Sequence, residues 1–534
     1  MKKLIVCIIS GLFTLPAVAQ KAPKWMGKAQ KAILMVATFD KDNRKIHSTV
    51  GFYVSETGEA LSAYSPFNGA ATATVTDTEG NIYPVTSIIG ADDLYDVIRF
   101  KVAVPKKVTF LTLAADPVAN GTPVFLLPYA TEKKTTPFQQ GTITEVGKLK
   151  EPYSYYKISF ALQEGQTNAP LLLSSGQVFA LAQDDASGKH THSYGVSATY
   201  VRSLKQNPTD ALNTLYDRIG IRKEWPADVE QASVSLFLLA GRQDAKTYRE
   251  TLHDFIATFP DYPDGYFNRA SHYAGKRTEL AADSAGQSAL LEQALADIQT
   301  ATRLSRSEEE QPAYHELEGN IYFFQGNYPS AYNAYMKTNA GSAASSNSYY
   351  WAAKALENIP GAQISDIVVL MDSAIAKLGH PLPKDAAPYI LERVDYKLQL
   401  SLFDEAIEDY NLYYALTDGQ VNDTFYFYRE QAKFRAGDNE GALKDIEQAI
   451  TLNAQAPDYY AEQAAIFVRL QKYDEALESV RKSLDLAPDF AACYRIRGVC
   501  LVRKEKKSEA CEAFEKAKEL GDPIVSRLIR EHCQ

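Results

Sequence analysis

Two rhythms of apolar and polar positions divide the chain. Between residues 28 and 206, short apolar or alternating runs rich in Val, Ile, Phe and Tyr occur at 33–38, 48–54, 83–88, 97–102, 108–113, 123–127, 155–160 and 178–181. Turn-forming stretches such as Glu79-Gly80-Asn81 and Ala119-Asn120-Gly121 separate them. Short strands at this spacing predict a closed barrel or a sandwich, not a parallel sheet with helical crossovers. Further on the rhythm becomes helical and repeats itself. Ala442, Ala476 and Ala510 stand 34 positions apart, and four residues after each comes a bulky apolar one, Ile446, Val480 and Phe514.

A period of this length predicts stacked supersecondary units. Tyr460, Ala464 and Phe467 fall on one face of a first helix, and Ala476, Val480 and Ser483 face them from a second. Tyr473 begins that second helix, and Pro488 closes the unit where a helix cannot readily continue. The next unit repeats the scheme with Tyr494, Gly498, Leu501, Lys507, Ala510 and Phe514, and an earlier one has Gly319, Tyr322, Gly326, Tyr328, Ala331 and Tyr335. These residues resemble the tetratricopeptide repeat, a helix–turn–helix unit that stacks into an α-solenoid. Weaker copies fall near Phe403, Ala406 and Tyr410, near Gly437, Ala442 and Ile446, over 347–379, from Tyr266 and Tyr273, and over 231–262. The count is about eight helical pairs, with residues 275–288 lengthening one of them.

Composition narrows the function classes. The 534 residues are 46% hydrophobic and 23% charged, an ordinary globular balance, and the net charge of −10 argues against nucleic acid, which needs a basic stripe. No cofactor motif is present and none is expected. Residues 1–19 read as a secretory signal: Lys2 and Lys3, an apolar run from Leu4 to Leu15, then Ala17-Val18-Ala19 before Gln20. Export to a Gram-negative periplasm is the expected destination. The apolar run is too short to be a membrane span, and no other stretch approaches 18 apolar residues. Residues 207–230 read as a junction, with Asn207-Pro208-Thr209-Asp210 capping a new helix, Trp225-Pro226 marking a break, and Trp225 a candidate wedge between barrel and repeats. Cys493, Cys500, Cys511 and Cys533 crowd the last repeats. Cys493 and Cys500 lie seven apart on one helix, about 10 Å at 1.5 Å per residue, too far to bridge. Any disulfide must therefore pair across helices.

Three stretches of the front domain resemble trypsin-like serine proteases, especially the bacterial high-temperature-requirement type. Gly51-Phe52-Tyr53-Val54 followed by Gly58 and Ala60-Leu61-Ser62 is similar to the hairpin that precedes the catalytic histidine, whose position is here Ser65. The segment 95–102 is similar to the one carrying the triad aspartate, and Asp96 is present. Gly165-Gln166-Thr167-Asn168-Ala169-Pro170-Leu171 is similar to the nucleophile loop, with Thr167 at the serine position and Asn168 and Ala169 replacing two glycines. Ser175-Gly176-Gln177-Val178 and Tyr194-Gly195-Val196-Ser197 resemble the closing strands. The resemblance implies a double β-barrel over 28–206, followed by the repeat solenoid over 231–534 with a C-terminal capping helix.

It also implies a vestigial site. Loss of any triad member leaves roughly 10³–10⁴-fold acceleration over water, far below a working protease. A serine hydroxyl at position 65 is no base near neutral pH, so Asp96 has no ring to orient. The N–H groups of Gly165 and Thr167 retain the backbone half of an oxyanion hole. The front domain is therefore expected to be a pseudoprotease. The competing expectation is a hydrolase with Thr167 as nucleophile and a base from elsewhere, such as His190 or His192, two histidines that lack a third partner for a metal. In the repeats, Arg435, Arg469 and Arg503 recur 34 apart. By resemblance they line the groove formed by first helices, with Arg495 and Phe427 beside them, and face an acidic or peptide partner. The alternative is solvated charge near helix C-termini. Non-enzymatic protein or peptide binding is the leading expectation.

Overall fold

In the computed structural model, described for residues 22–131, 137–185, 191–305, 307–341 and 343–533, the chain forms two compact units, one ending at Pro260 and the other beginning at Asp261. The expected leader at 1–19 and His190 lie outside the described residues. The first unit opens with helix α1 (Met26–Gln30) and six strands, β1 (Ile33–Phe39), β2 (Lys45–Tyr53), β3 (Glu59–Ser62), β4 (Thr72–Thr76), β5 (Ile82–Asp92) and β6 (Val97–Val102), which close into a barrel in the order β1-β2-β3-β6-β5-β4. Six more, β7 (Pro123–Leu126), β8 (Gln139–Lys148), β9 (Ser154–Ile158), β10 (Pro170–Leu173), β11 (Val178–Gln183) and β12 (Ser193–Ser197), close a second in the order β10-β11-β12-β9-β8-β7. This is the expected double barrel. Alternation fills each interior: Leu34, Val36, Phe67, Ile98 and Phe100 pack in the first, and Leu126, Tyr156, Leu171 and Phe179 in the second. Gly51 has a steric reason. A Cβ there would lie 2.9 Å from the Leu61 carbonyl and 3.1 Å from Val36 Cγ2, so the β2–β3 hairpin closes only over a bare backbone.

The strand expected at 108–113 does not form. Val108 N–H donates to Glu56, Leu111 N–H to Tyr53, and Val178 N–H to Thr112, so the segment crosses between the barrels on isolated bonds, two to the first and one to the second, with no ladder. Only Leu113 makes a bridge, to Val178. After α2 (Ala198–Ser203) and α3 (Thr214–Asp217), Leu215, Tyr216, Ile219 and Ile221 bury into the first barrel's core, and Ile88 bridges to Lys223. Helices α4 (Val229–Ala240) and α5 (Ala245–Thr258) complete the unit. Trp225 sits on α5, its ring edge-on to Phe255 at 5.2 Å and its indole N–H donating to Asp254 at 2.9 Å.

The second unit is helical throughout its regular elements: α6 (Pro263–Leu280), α7 (Ser284–Leu304), α8 (Gln311–Phe324), α9 (Tyr328–Asn339), α10 (Ser346–Glu357), α11 (Ile364–Ala376), α12 (Ala387–Gln399), α13 (Phe403–Leu416), α14 (Asp423–Ala436), α15 (Asn439–Leu452), α16 (Pro457–Arg469), α17 (Tyr473–Leu486), α18 (Ala491–Arg503), α19 (Lys507–Glu519) and α20 (Val525–His532). Consecutive helices pack as pairs, and α6 and α7 are the longest, at 18 and 21 residues. Small residues set the approach within a pair. A Cβ on Gly498 would fall 2.4 Å from the Phe514 ring, so the bulky residue of the second helix lies directly against the backbone of the first. Gly498→Ala is expected to lose about 1–3 kcal/mol by overpacking, read as a lower urea midpoint with unchanged slope. Beyond the last pair, Val525, Leu528 and Ile529 of α20 cover Leu501 and Phe514, and a disulfide joins Cys511 to Cys533 across α19 and the end of α20. Cys493 and Cys500 are buried thiols, and burial pushes Cys500 up to about 11.

The central repeats carry a second periodicity. Arg393 and Lys397 of α12 clamp Asp409 of α13, and 36 residues later Arg429 and Lys433 of α14 clamp Asp445 of α15. The guanidinium forks are bidentate, at 2.8 and 2.5 Å to Asp409 and 2.8 and 2.6 Å to Asp445, with lysine contacts of 2.9 and 2.8 Å. Both aspartates are buried. At the corresponding place in the next pair the contact is neutral, Ser479 donating to Gln463 at 2.9 Å.

Candidate functional site

The front domain's candidate residues lie on two turns, which bring Ser65 against Asp96, and on a loop that carries Thr167. Ser65 opens a short 3-10 turn after β3, held by Pro66. Asp96 sits in the tight turn between β5 and β6 with φ of 50°, a left-handed conformation that aspartate tolerates better than most residues. That turn is tied down by Asp92. Its carboxylate accepts from Tyr95 N–H, from Lys150 Nζ at 2.8 Å and from the Tyr200 hydroxyl, and Lys150 also lies 5.3 Å from the centres of the Tyr95 and Tyr200 rings. Burial alone would raise the Asp92 carboxyl, but these donors hold it below the usual carboxylate range. The knot was not visible in sequence, because Asp92, Lys150 and Tyr200 of α2 are 50 to 108 residues apart.

Asp96 is fully engaged by the residue at the histidine position. Ser65 donates its backbone N–H to one carboxylate oxygen at 2.6 Å and its hydroxyl to the other at 3.0 Å. The aspartate thus orients a hydroxyl where a base would stand. On the nucleophile loop, Gly165 has φ of 78° and Asn168 φ of 66°, which turn the chain sharply on either side of exposed Thr167. Buried Gln166 fixes the loop from within, accepting from Gln163 N–H and Gln139 Nε2, each at 2.8 Å. Asn168 anchors it to the first barrel, its amide donating to Thr49 Oγ1 at 3.0 Å while its Oδ1 is buried without a partner.

Among the described residues the Thr167 hydroxyl has no hydrogen-bond partner, and the N–H groups of Gly165 and Thr167 donate to no backbone carbonyl. His192 is occupied elsewhere: its Nδ1 lies 3.0 Å from Thr191 Oγ1, and its Nε2 lies 3.0 Å from the Tyr194 hydroxyl and 3.5 Å from Asp185. No group of three or more metal-ligating side chains occurs among the described residues.

The second unit holds a groove of about 980 Å³ along α12, α13 and α14. Leu391, Asp395 and Leu398 line it from α12, Tyr410 and Tyr413 from α13, and Tyr428, Gln431 and Arg435 from α14. Of the five binding residues expected from sequence, Arg435 lies in this groove, its guanidinium 5.9 Å from the centre of the Phe403 ring. Arg469 stacks over Phe434 at 4.1 Å and donates to the Phe434 carbonyl at 3.3 Å. Arg495 is paired at 2.8 Å with buried Asp522, and Phe427 packs on Tyr459 with ring centres 4.9 Å apart. Arg503 is exposed at the end of α18.

Comparison with known proteins agrees with both halves. Residues 49–181 match the family model of a trypsin-like peptidase domain, and residues 431–489 and 462–523 match that of the tetratricopeptide repeat. Among solved structures, those of HtrA-type protease AlgW with tripeptide and of HtrA-type protease AlgWS227A with tripeptide are each similar at 15% identity and a TM-score of 0.28, covering 33% of this chain and 60% of theirs. No curated protein matches the chain.

Proposed function

We propose that this chain, a trypsin-like peptidase domain joined to tetratricopeptide repeats, is an exported binding protein of the periplasm whose barrel does not cleave peptide bonds and whose repeats hold a protein or peptide partner. One observation carries the reading: both oxygens of Asp96 are taken by Ser65. In acyl transfer an imidazole must draw the proton from the attacking hydroxyl and return it to the leaving amine. A serine hydroxyl donating to a carboxylate has no such capacity near neutral pH, and Thr167 carries a methyl group where the attack would occur.

A hydrolase reading keeps one point in its favour. Among the described residues the N–H groups of Gly165 and Thr167 donate to no backbone carbonyl, which leaves them to donate to a developing oxyanion. Without a base beside Thr167 they stabilise a charge that does not form. The repeats contribute the groove, where Arg435 offers a guanidinium to an acidic group of the partner. Among the described residues no helix is long and apolar enough to cross a membrane.

Crosslinking and pull-down from the native envelope is the test, comparing the intact protein with the Arg435/Arg469/Arg503→Ala variant. A specific partner held by the intact protein and lost or weakened in the variant is the expected result. Undiminished capture by the variant removes the arginines from the binding surface, and absence of any specific partner removes the binding function.

A further inference from the structure

The groove of the second unit has a charge asymmetry that the arginine spacing does not express. On α12 both nearby basic side chains, Arg393 and Lys397, turn away to clamp Asp409. Asp395, between them in sequence, lines the groove and has no ion pair or hydrogen bond among the described residues. The charged neighbour that acts on it is Glu392, a like charge already paired with Lys354 at 2.8 Å. Asp395 is exposed at the groove surface; the desolvation its surroundings impose and that neighbour push its carboxyl above the usual range, as expected of a negative group with no cation beside it. Around it stand apolar and aromatic walls with exposed area to offer, Leu391 at 37% and Tyr428 at 55%, with the Tyr410 ring beneath.

We propose that this groove takes an extended peptide segment bearing a lysine or arginine side chain, with Asp395 as its counter-ion and Leu391 and Tyr428 covering the adjacent apolar side chains. The inference rests on the reading of the repeats as the binding region and specifies the chemistry recognised there. A carboxylate beside tyrosine faces favours a cation twice, by ion pairing and by the ring quadrupole, and the aliphatic stem of a lysine or arginine suits the apolar walls. Arg435 lines the same groove and forms no ion pair with Asp395 among the described residues, so a partner that satisfies both residues carries a basic and an acidic group.

The test uses fluorescein-labelled Gly-Leu-Lys-Leu-Gly-Ser amide and its counterpart with Glu replacing Lys, titrated by anisotropy against the full chain at 0.15 M salt. The lysine peptide is expected to bind about tenfold tighter than the glutamate one. Asp395→Asn, with unchanged circular dichroism and melting temperature, is expected to erase that ratio, and Tyr428→Ala to weaken both peptides. Equal affinities for the two peptides, binding of neither, or a ratio that survives Asp395→Asn each overturn the inference. The envelope pull-down separates this failure from failure of the broader reading. If a Leu391/Tyr428→Ala variant loses partners that Asp395→Asn retains, the groove binds but without cation recognition; if neither variant changes capture, the groove inference falls, and only the absence of any specific partner removes the broader reading.

Discussion

Raising the pH from about 4.5 to above 8 is expected to reduce the stability of the second unit by on the order of 5 kcal/mol through one side chain, Glu430. Glu430 stands at the slot occupied 34 and 68 residues later by Ala464 and Gly498, where a small residue normally lets two helices touch. The bulky partner in its own pair is Ile446 where the last pair has Phe514, which leaves room for a longer side chain. Glu430 is fully buried and neither carboxylate oxygen has a hydrogen-bond partner. Burial first, then the charges of Glu462 and Asp445, push its carboxyl up to about 8.

The sign follows from the proton balance. A group whose folded value lies above its unfolded one keeps its proton longer in the native state. Its contribution is complete below the unfolded value near 4.5 and is lost as pH climbs through about 8, at up to about 1.4 kcal/mol per unit. Glu462, raised mainly by its own burial and by the charge of Asp458, acts in the same direction. Urea unfolding followed by helical circular dichroism at a series of pH values measures the slope. Glu430→Gln, neutral throughout, is expected to remove most of it and to stabilise the protein at pH 8.5 while changing little at pH 4.5. A pH profile identical in the two proteins would show that Glu430 is not buried as described.

Asp445→Ala is expected to be the most damaging single change in the repeats at neutral pH, with a loss of about 3–5 kcal/mol. The carboxylate is the counter-ion of both Arg429 and Lys433, and removing it leaves two positive groups in the interior of the α14–α15 pair without it. Arg429 also stacks on Phe425 at 5.1 Å, so its planar group cannot swing out without uncovering that ring. The same physics predicts the opposite for the whole cluster. An Arg429/Lys433/Asp445→Met/Met/Leu variant removes every charge together and is expected to be close to the parent in stability or above it. Denaturant midpoints of the single and triple variants check this, and a mild Asp445→Ala would contradict it.

How much of this could be read in advance depended on whether an element announces itself through apolar periodicity. Strand β1 did, because its burial alternates over Val36, Thr38 and their neighbours. Strand β8 did not: of its ten residues only Ile143 is buried, and the half-buried positions that alternate before it are Gln139 and Gly141, so the alternation is not an apolar one. Strand β4, Thr-Ala-Thr-Val-Thr, buries only Ala73 and Val75. The 108–113 run misled for the opposite reason, since its apolar residues seal the seam between barrels and do not join a ladder. The 34-residue ladder of small and bulky residues located the helix pairs, but drew the eye from the 36-residue spacing of Arg-Lys-Asp clamps beside it. Glu430 was hidden in plain alignment with Ala464 and Gly498. At the candidate site the positions Ser65, Asp96, Gly165 and Thr167 were legible from motif order, whereas Ser65 spending both its donors on Asp96 required coordinates.

That arrangement is the centre of the account, and chemical labelling addresses it most directly. The purified protein is to be treated with a fluorophosphonate probe alongside a Thr167→Ala control, and the adduct located by mass spectrometry. With no imidazole to draw the proton from Thr167, no adduct on Thr167 is expected, and the two proteins should give equal, background signal. Labelling at Thr167 that the alanine control abolishes would establish an activated nucleophile and contradict it.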